Sequence, residues 1–313
     1  MYKALKMRFY YFLLFVLICT PICSQEASII SQDITIDQHV DGTLLIANDI
    51  PESALVIIIP GSGPTDRNGN QNFLKNNSLK KLADALALEG ISSFRYDKRI
   101  VKQIRQNNVD NDIIFDHFVD DAITVLKYFK DKYKFKKVFI AGHSQGSLVG
   151  MLAANEGADG FISIAGSGQP LDEILLYQIN KTAPQFNEDT KRIISILKNG
   201  QTTDDYPQAL ASVFRKDIQL FIVNWMQYNP QEVIHTLNMP ILIINGTKDL
   251  QVTVEEAKLL DNAAKNSTMI IVDNMNHVLV PIEGDDLENS KSYNESNREI
   301  SPKIIEAIRA FVR

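Results

Sequence analysis

Gly142-His143-Ser144-Gln145-Gly146 places one serine between two glycines, where the apolar run 138–141 gives way to a small-residue helical pattern. A hydroxyl is a poor nucleophile until an imidazole takes its proton, and the imidazole needs a carboxylate to fix its tautomer and stabilise its charged form. A strand-to-helix turn this sharp forces a strained backbone on the serine and brings the residues two before and two after it into contact. Both must be very small, which Gly142 and Gly146 satisfy. The same turn puts the Gln145 amide at a helix start, where N–H groups and the helix dipole favour developing negative charge.

The partners are sought in loops that follow later strands. "PILIINGTKDLQV" supplies Asp249 beyond one apolar run, and "TMIIVDNMNHVLV" supplies His277 after the next. Among the other histidines, His39 precedes the sheet, His117 sits in an acidic helix and His235 closes a helical stretch. His143 is expected to point the wrong way along the turn. Asp273 is too near His277 in sequence to serve as its acid. A second donor to the reacting oxygen is expected in "IIIPGSGPTDRNGN", where Gly61 and Gly63 flank Ser62 and let a backbone amide approach; Ser62 is assigned, with the Gly63 amide the open alternative. Asp66 and Arg67 are expected to form an ion pair that stiffens this loop.

The elements that position these residues alternate. An antiparallel pair turning at Asp41-Gly42 comes first. Apolar strands then read at 54–60, 91–97, 137–141, 160–165, 240–245 and 268–272, with helices at 76–89, 112–132, after Ser144 and at 302–312. Continuous Ile, Leu and Val runs belong to an α/β chain whose central sheet is mostly parallel and covered by helices on both faces. From 169 to 238 no strand is read. Those helices are expected to form a cap over the carboxyl edge of the sheet, inserted into a core of residues 25–168 and 239–313.

Composition narrows the function classes. The chain has 313 residues, 45% apolar and 22% charged, which is ordinary for a globular protein. Lys3, Lys6 and Arg8 precede a short apolar run and the small exit Cys23-Ser24, the pattern of a signal peptide over residues 1–24. The alternative is an uncleaved anchor, but the run from 9 to 18 is short for a bilayer. Both cysteines lie in this leader, so an exported mature chain has no thiol and no disulfide. Without the three leader cations, 29 basic residues face 38 acidic ones, a net of −9 that repels nucleic acid. Scattered histidines and no phosphate-cradling glycine loop argue for no metal and no cofactor.

With these residues in place, the sequence resembles the α/β-hydrolase superfamily, and within it secreted or membrane-associated bacterial esterases with a P-G-S-G-P-T-D-R-N/D-G loop. The similarity runs through 60–70, "RYDKR" at 95–99, "AGHSQG" at 141–146, "NGTKDLQV" at 245–252 and "NMNHVL" at 274–279. The resemblance implies hydrolysis of a small-molecule acyl substrate through an acyl-serine, with Ser144, Asp249 and His277 as triad. It departs where relatives carry a glycine turn after R-Y-D-K-R, since Ile100-Val101-Lys102 stand there. Esters of short to medium chain are the expected substrates. A thioesterase, acyltransferase or small peptidase using the same triad is the alternative, and a silent binding protein on the same fold the third.

Overall fold

The computed structural model describes residues 29–47, 53–110 and 112–313; the expected leader lies outside them. Eight strands, β1 (Ile30–Thr35), β2 (Asp41–Ile46), β3 (Ala54–Ile59), β4 (Ser92–Tyr96), β5 (Lys137–His143), β6 (Gly160–Ile164), β7 (Ile241–Gly246) and β8 (Ser267–Val272), form one sheet in the order β1-β2-β4-β3-β5-β6-β7-β8. The pairings from β4 through β8 are parallel, and β1 and β2 extend one edge in antiparallel fashion.

The period-two pleat divides each central strand between two cores. Leu55, Ile57 and Ile59 of β3, Val138 and Ile140 of β5, and Ile241 and Ile243 of β7 face one cluster, with the helices Asp116–Lys132, Gln145–Ala154 and Val254–Ala263. Val56, Ile58, Phe139, Ala141, Leu242 and Ile244 face the other, covered by Ser78–Leu88 and Pro302–Val312. Burial on both faces is why these strands read as unbroken apolar runs rather than alternating ones.

Two local expectations are corrected. The hairpin turns at residues 37–39, not at Asp41-Gly42, because the Asp37 carboxylate accepts the N–H groups of both His39 and Val40 and closes the turn early. Asp41 and Gly42 instead open β2, opposite Thr35 and Ile34. A helix not read from the sequence, Arg99–Arg105, occupies the place of the glycine turn, and the following helix begins at Asp116 rather than at 112.

Between β6 and β7 the chain is helical: Leu171–Thr182, Asn187–Lys198, Ala211–Phe214, Lys216–Trp225 and Pro230–Thr236. These helices carry a separate apolar cluster around Ile193, Leu197, Leu210 and Phe214. They are tied to the sheet's helix at 116–132 by Asp116, which accepts from Asn224 Nδ2 and Tyr228 Oη, and by Trp225 stacked on Phe115 at 5.4 Å between centroids.

Candidate active site

Parallel strands deliver their carboxyl ends to one rim, where open α/β sheets place ligand sites. Ser144 follows β5 there with φ 55° and ψ −122°, a conformation that side chains other than glycine rarely adopt. The neighbouring glycines are compulsory. A Cβ on Gly142 would stand 2.1 Å from the Gly146 carbonyl oxygen, and one on Gly146 2.6 Å from that of Ile59. Gln145 is the first residue of the helix, and its N–H has no acceptor among the described backbone hydrogen bonds.

Asp249 and His277, 28 residues apart, meet in a buried pair: His277 Nδ1 lies 2.8 Å from Asp249 Oδ2. A carboxylate only accepts, so the Nδ1–H donates and Nε2 is left with a free lone pair. Asp249 is held in turn through Oδ1, which accepts the N–H groups of Gln251 and Val252 at 2.8 and 2.9 Å. His277 and Ser144 line one cavity of about 100 Å³ together with Gln71 and Tyr293. No hydrogen bond joins Ser144 Oγ to the His277 ring among the described contacts, so what links the two is the cavity both line.

Two residues around His277 were not singled out from sequence. Asn276 is buried; its Oδ1 accepts from Val278 N and Val280 N, and its Nδ2 donates to Asn289 and Ser292, which fixes the loop that presents His277. His143, expected to point uselessly along the turn, instead packs its ring 4.8 Å from that of His277 and donates from Nε2 to the His277 carbonyl at 2.8 Å. Burial, aided by the neighbouring His277, pushes its pKa down to about 4, so His143 is neutral at physiological pH.

The loop after β3 is clamped at several points. Gly61 packs against Ser144, Ser62 lines the cavity shared by Ser144 and His277, and Gly63 is turned toward Gln71. The Ser62 carbonyl accepts from Thr65 Oγ1 and Gln71 Nε2, while its N–H has no acceptor among the described backbone bonds. Asp66 and Arg67 do not pair with each other. Asp66 Oδ1 closes the loop on the N–H groups of Asn68 and Asn70. Arg67 reaches across to Asp97, donating from its backbone N at 2.8 Å and from Nη2 at 2.9 Å. Burial alone would raise the Asp97 pKa, but the bonds and charge of Arg67, with Arg105, hold it below the ordinary value. Each side chain instead finds partners beyond its neighbour, Asp66 on the loop's own backbone and Arg67 on the buried Asp97.

Lys98, one residue beyond Asp97, was also missed. It is 4% exposed, and its Nζ donates to the Gly61 carbonyl at 2.9 Å and to Gln145 Oε1 at 2.7 Å, over the Phe118 ring. On the far side of Ser144 a second cavity of about 250 Å³ runs beneath Leu171, Leu175 and Trp225. It adjoins a larger apolar one of about 470 Å³ between Phe118, Ile113 and the inserted helices. Among the described residues no group of three or more His, Cys, Asp or Glu could hold a metal ion, and no helix is long and apolar enough to cross a membrane.

Known proteins share this architecture. Est1E from Butyrivibrio proteoclasticus superposes with a TM-score of 0.54 at 15% identity, over 89% of this chain and 98% of that one. A dienelactone hydrolase from Anabaena variabilis gives 0.52 at 13%, over 92% and 100%. At such identities the likeness establishes the α/β-hydrolase fold. Esterase EstD from Thermotoga maritima is 25% identical over 263 residues, or 81% of this chain, which spans 61% of that relative's length. The profile of a hydrolase family matches residues 76–285, a stretch that holds the serine turn, Asp249 and His277. The chain therefore belongs to the family described as Hydrolase_4, serine aminopeptidase S33.

Proposed function

We propose that the protein is a serine hydrolase of carboxylic esters with short to medium acyl chains, and that Ser144, His277 and Asp249 carry the reaction. The observation behind this reading is the buried Asp249–His277 pair, whose tautomer leaves Nε2 as a base in the cavity that Ser144 also lines. His277 takes the Ser144 proton as Oγ attacks the carbonyl carbon. The resulting oxyanion is met by the N–H groups of Ser62 and Gln145. Collapse breaks the bond to the alcohol oxygen, which receives the proton from His277. Water, deprotonated by the same ring, attacks the acyl carbon, and as the acid leaves His277 returns the proton to Ser144 Oγ. EstD, an esterase by name, supports the ester over other acyl substrates.

The leaving group must lie where His277 can protonate it, which is the small cavity with Gln71 and Tyr293. The acyl chain then runs under Leu171, Leu175 and Trp225, along apolar walls. An aminopeptidase would need a carboxylate near the scissile bond to receive the substrate's α-ammonium, and neither cavity that contains Ser144 is lined by one among the described residues. That favours the ester. The leader composition supports export, with the mature enzyme acting outside the cytoplasm.

The test uses the chain without residues 1–24 and p-nitrophenyl esters of two to twelve carbons. Wild type should turn them over with rates that fade as the acyl chain lengthens, and Ser144→Ala should be inert. Activity surviving in Ser144→Ala removes the mechanism; cleavage of amides or thioesters but no ester removes the substrate class.

A further inference from the structure

We propose that Lys98 is a positioning residue for the oxyanion hole: by holding the Gly61 carbonyl it fixes the Gly61–Ser62 peptide so that the Ser62 N–H faces the reacting oxygen. This inference rests on the esterase reading above and says which side chain sets the geometry of its first oxyanion donor.

The physical link is peptide planarity. The described chain has no cis peptide bond, and in a trans peptide the C=O and the following N–H point in opposite directions. Gly61 has no side chain to restrain its own dihedrals, so the orientation of the peptide that follows it must be set by an outside contact. A flipped Gly61–Ser62 peptide would aim a carbonyl, not an N–H, at the developing negative charge. The Lys98 bond of 2.9 Å to the Gly61 oxygen selects one of the two orientations. On the other side of Ser62, Gln71 and Thr65 hold its own carbonyl, so the residue is restrained through both of its peptides.

Lys98 also touches the second donor. Its Nζ bonds to the side-chain oxygen of Gln145, whose backbone N–H is the other proposed oxyanion donor. One amine thus spans the loop after β3 and the helix after β5 and sets the spacing between the two N–H groups. Donation to the Gly61 carbonyl further polarises that peptide and strengthens its N–H as a donor. Lys98 makes no ion pair among the described residues, its remaining neighbour being the Phe118 ring at 4.2 Å. Burial lowers its pKa to about 7. An amine held in such a place costs the fold stability that methionine would not cost, which is unexpected for a purely structural contact.

The experiment compares wild type with Lys98→Met and Lys98→Gln by ester kinetics, affinity for an alkyl trifluoromethyl ketone, rate of Ser144 labelling by a fluorophosphonate, and thermal midpoint. In Lys98→Met we expect kcat to fall about 10–10²-fold with KM within twofold, somewhat less than the loss of a whole oxyanion donor. The ketone, whose adduct carries the oxyanion, should weaken by the same factor, and labelling should slow in parallel. The midpoint should hold or rise. Lys98→Gln, which keeps an N–H donor, should recover part of the loss, and it is compared with wild type directly if Lys98→Met does not fold. Wild-type-like kcat in both variants overturns the proposal, as does a loss confined to KM or ketone affinity that does not follow kcat. Labelling needs no ester turnover: a wild type that labels Ser144 but cleaves no ester sinks the esterase reading alone, and the labelling rates still decide Lys98. A wild type that does not label at Ser144 sinks both.

Discussion

The two loops that would supply the oxyanion donors are built in opposite ways. The turn at 142–146 is determined largely from within: Gly142 lies against the Gly146 backbone, only Gly146 faces a neighbour outside it, at Ile59, and the strain at Ser144 is imposed by the strand before it and the helix after it. The loop at 60–71 is held partly from without. Bonds of Thr65, Gln71 and Asp66 tie it internally, but its arginine and the Gly61 carbonyl are fixed by Asp97 and Lys98, which follow β4 thirty or more residues later. A device closed within five residues tolerates no local change. A device assembled from distant clamps should lose function in graded steps, clamp by clamp.

Substitutions test that contrast, in descending order of effect. Gly142→Ala should lower kcat by about 10⁴-fold, because a methyl 2.1 Å from the Gly146 oxygen displaces nucleophile and Gln145 amide together. Steady-state kinetics on p-nitrophenyl butyrate checks this, and a loss below tenfold would show that the turn has more slack than its backbone suggests. Asp249→Asn should cost a similar factor in kcat while leaving KM nearly unchanged, by favouring the wrong His277 tautomer; its signature is a normal thermal midpoint beside failed turnover.

On the other loop, Arg67→Ala should reduce kcat only about tenfold and cost roughly 2 kcal/mol of stability, since Asp97 keeps Arg105 and the backbone N–H of residue 67 but loses the guanidinium. Urea unfolding together with kinetics measures both. If Arg67→Ala were as inactive as Gly142→Ala, the two loops would be equally brittle and the contrast would fail. Gln71→Ala, which frees the Ser62 carbonyl from one of two donors, should lower kcat a few-fold, with Thr65 retaining the other bond.

The smallest effect on activity is expected at His143, where the consequence is one of stability against pH. Its folded pKa, about 4, lies below the ordinary value of 6.5, so between those values the unfolded chain binds a proton that the folded chain does not. Stability at this site is complete above about pH 6.5 and falls as pH drops toward 4, by roughly 3 kcal/mol in all. His143→Gln should flatten that part of the profile in denaturant titrations at pH 4.5, 5.5 and 7; an unchanged slope would show that His143 titrates freely.

Legibility in sequence followed the same division. The strands β3, β5, β6 and β7, buried on both faces, announced themselves as apolar runs, and the serine turn could be read because its requirements fall on adjacent residues. His277 and Asp249 were read from their place after successive strands, and the structure brings the two side chains together. The helix Arg99–Arg105 escaped because seven residues are too few for Ile100, Val101 and Ile104 to establish a period, and Asp66 and Arg67 were paired because they are neighbours in the chain. The roles of Asn276 and His143 were hidden for a related reason: each acts on a backbone group, which no residue type advertises.

The order of elements, the glycine-flanked serine and the carboxylate and imidazole that follow it were set by amino-acid types at positions close together or in regular succession. Which carbonyl receives Lys98, where Arg67 finds its carboxylate and how His143 supports His277 were decided only when parallel strands brought their ends to one rim. Adjacent contacts leave a pattern in the chain because sterics and periodicity act over a few residues. Hydrogen bonds between distant loops depend on strand order and register, and these exist only in the folded sheet.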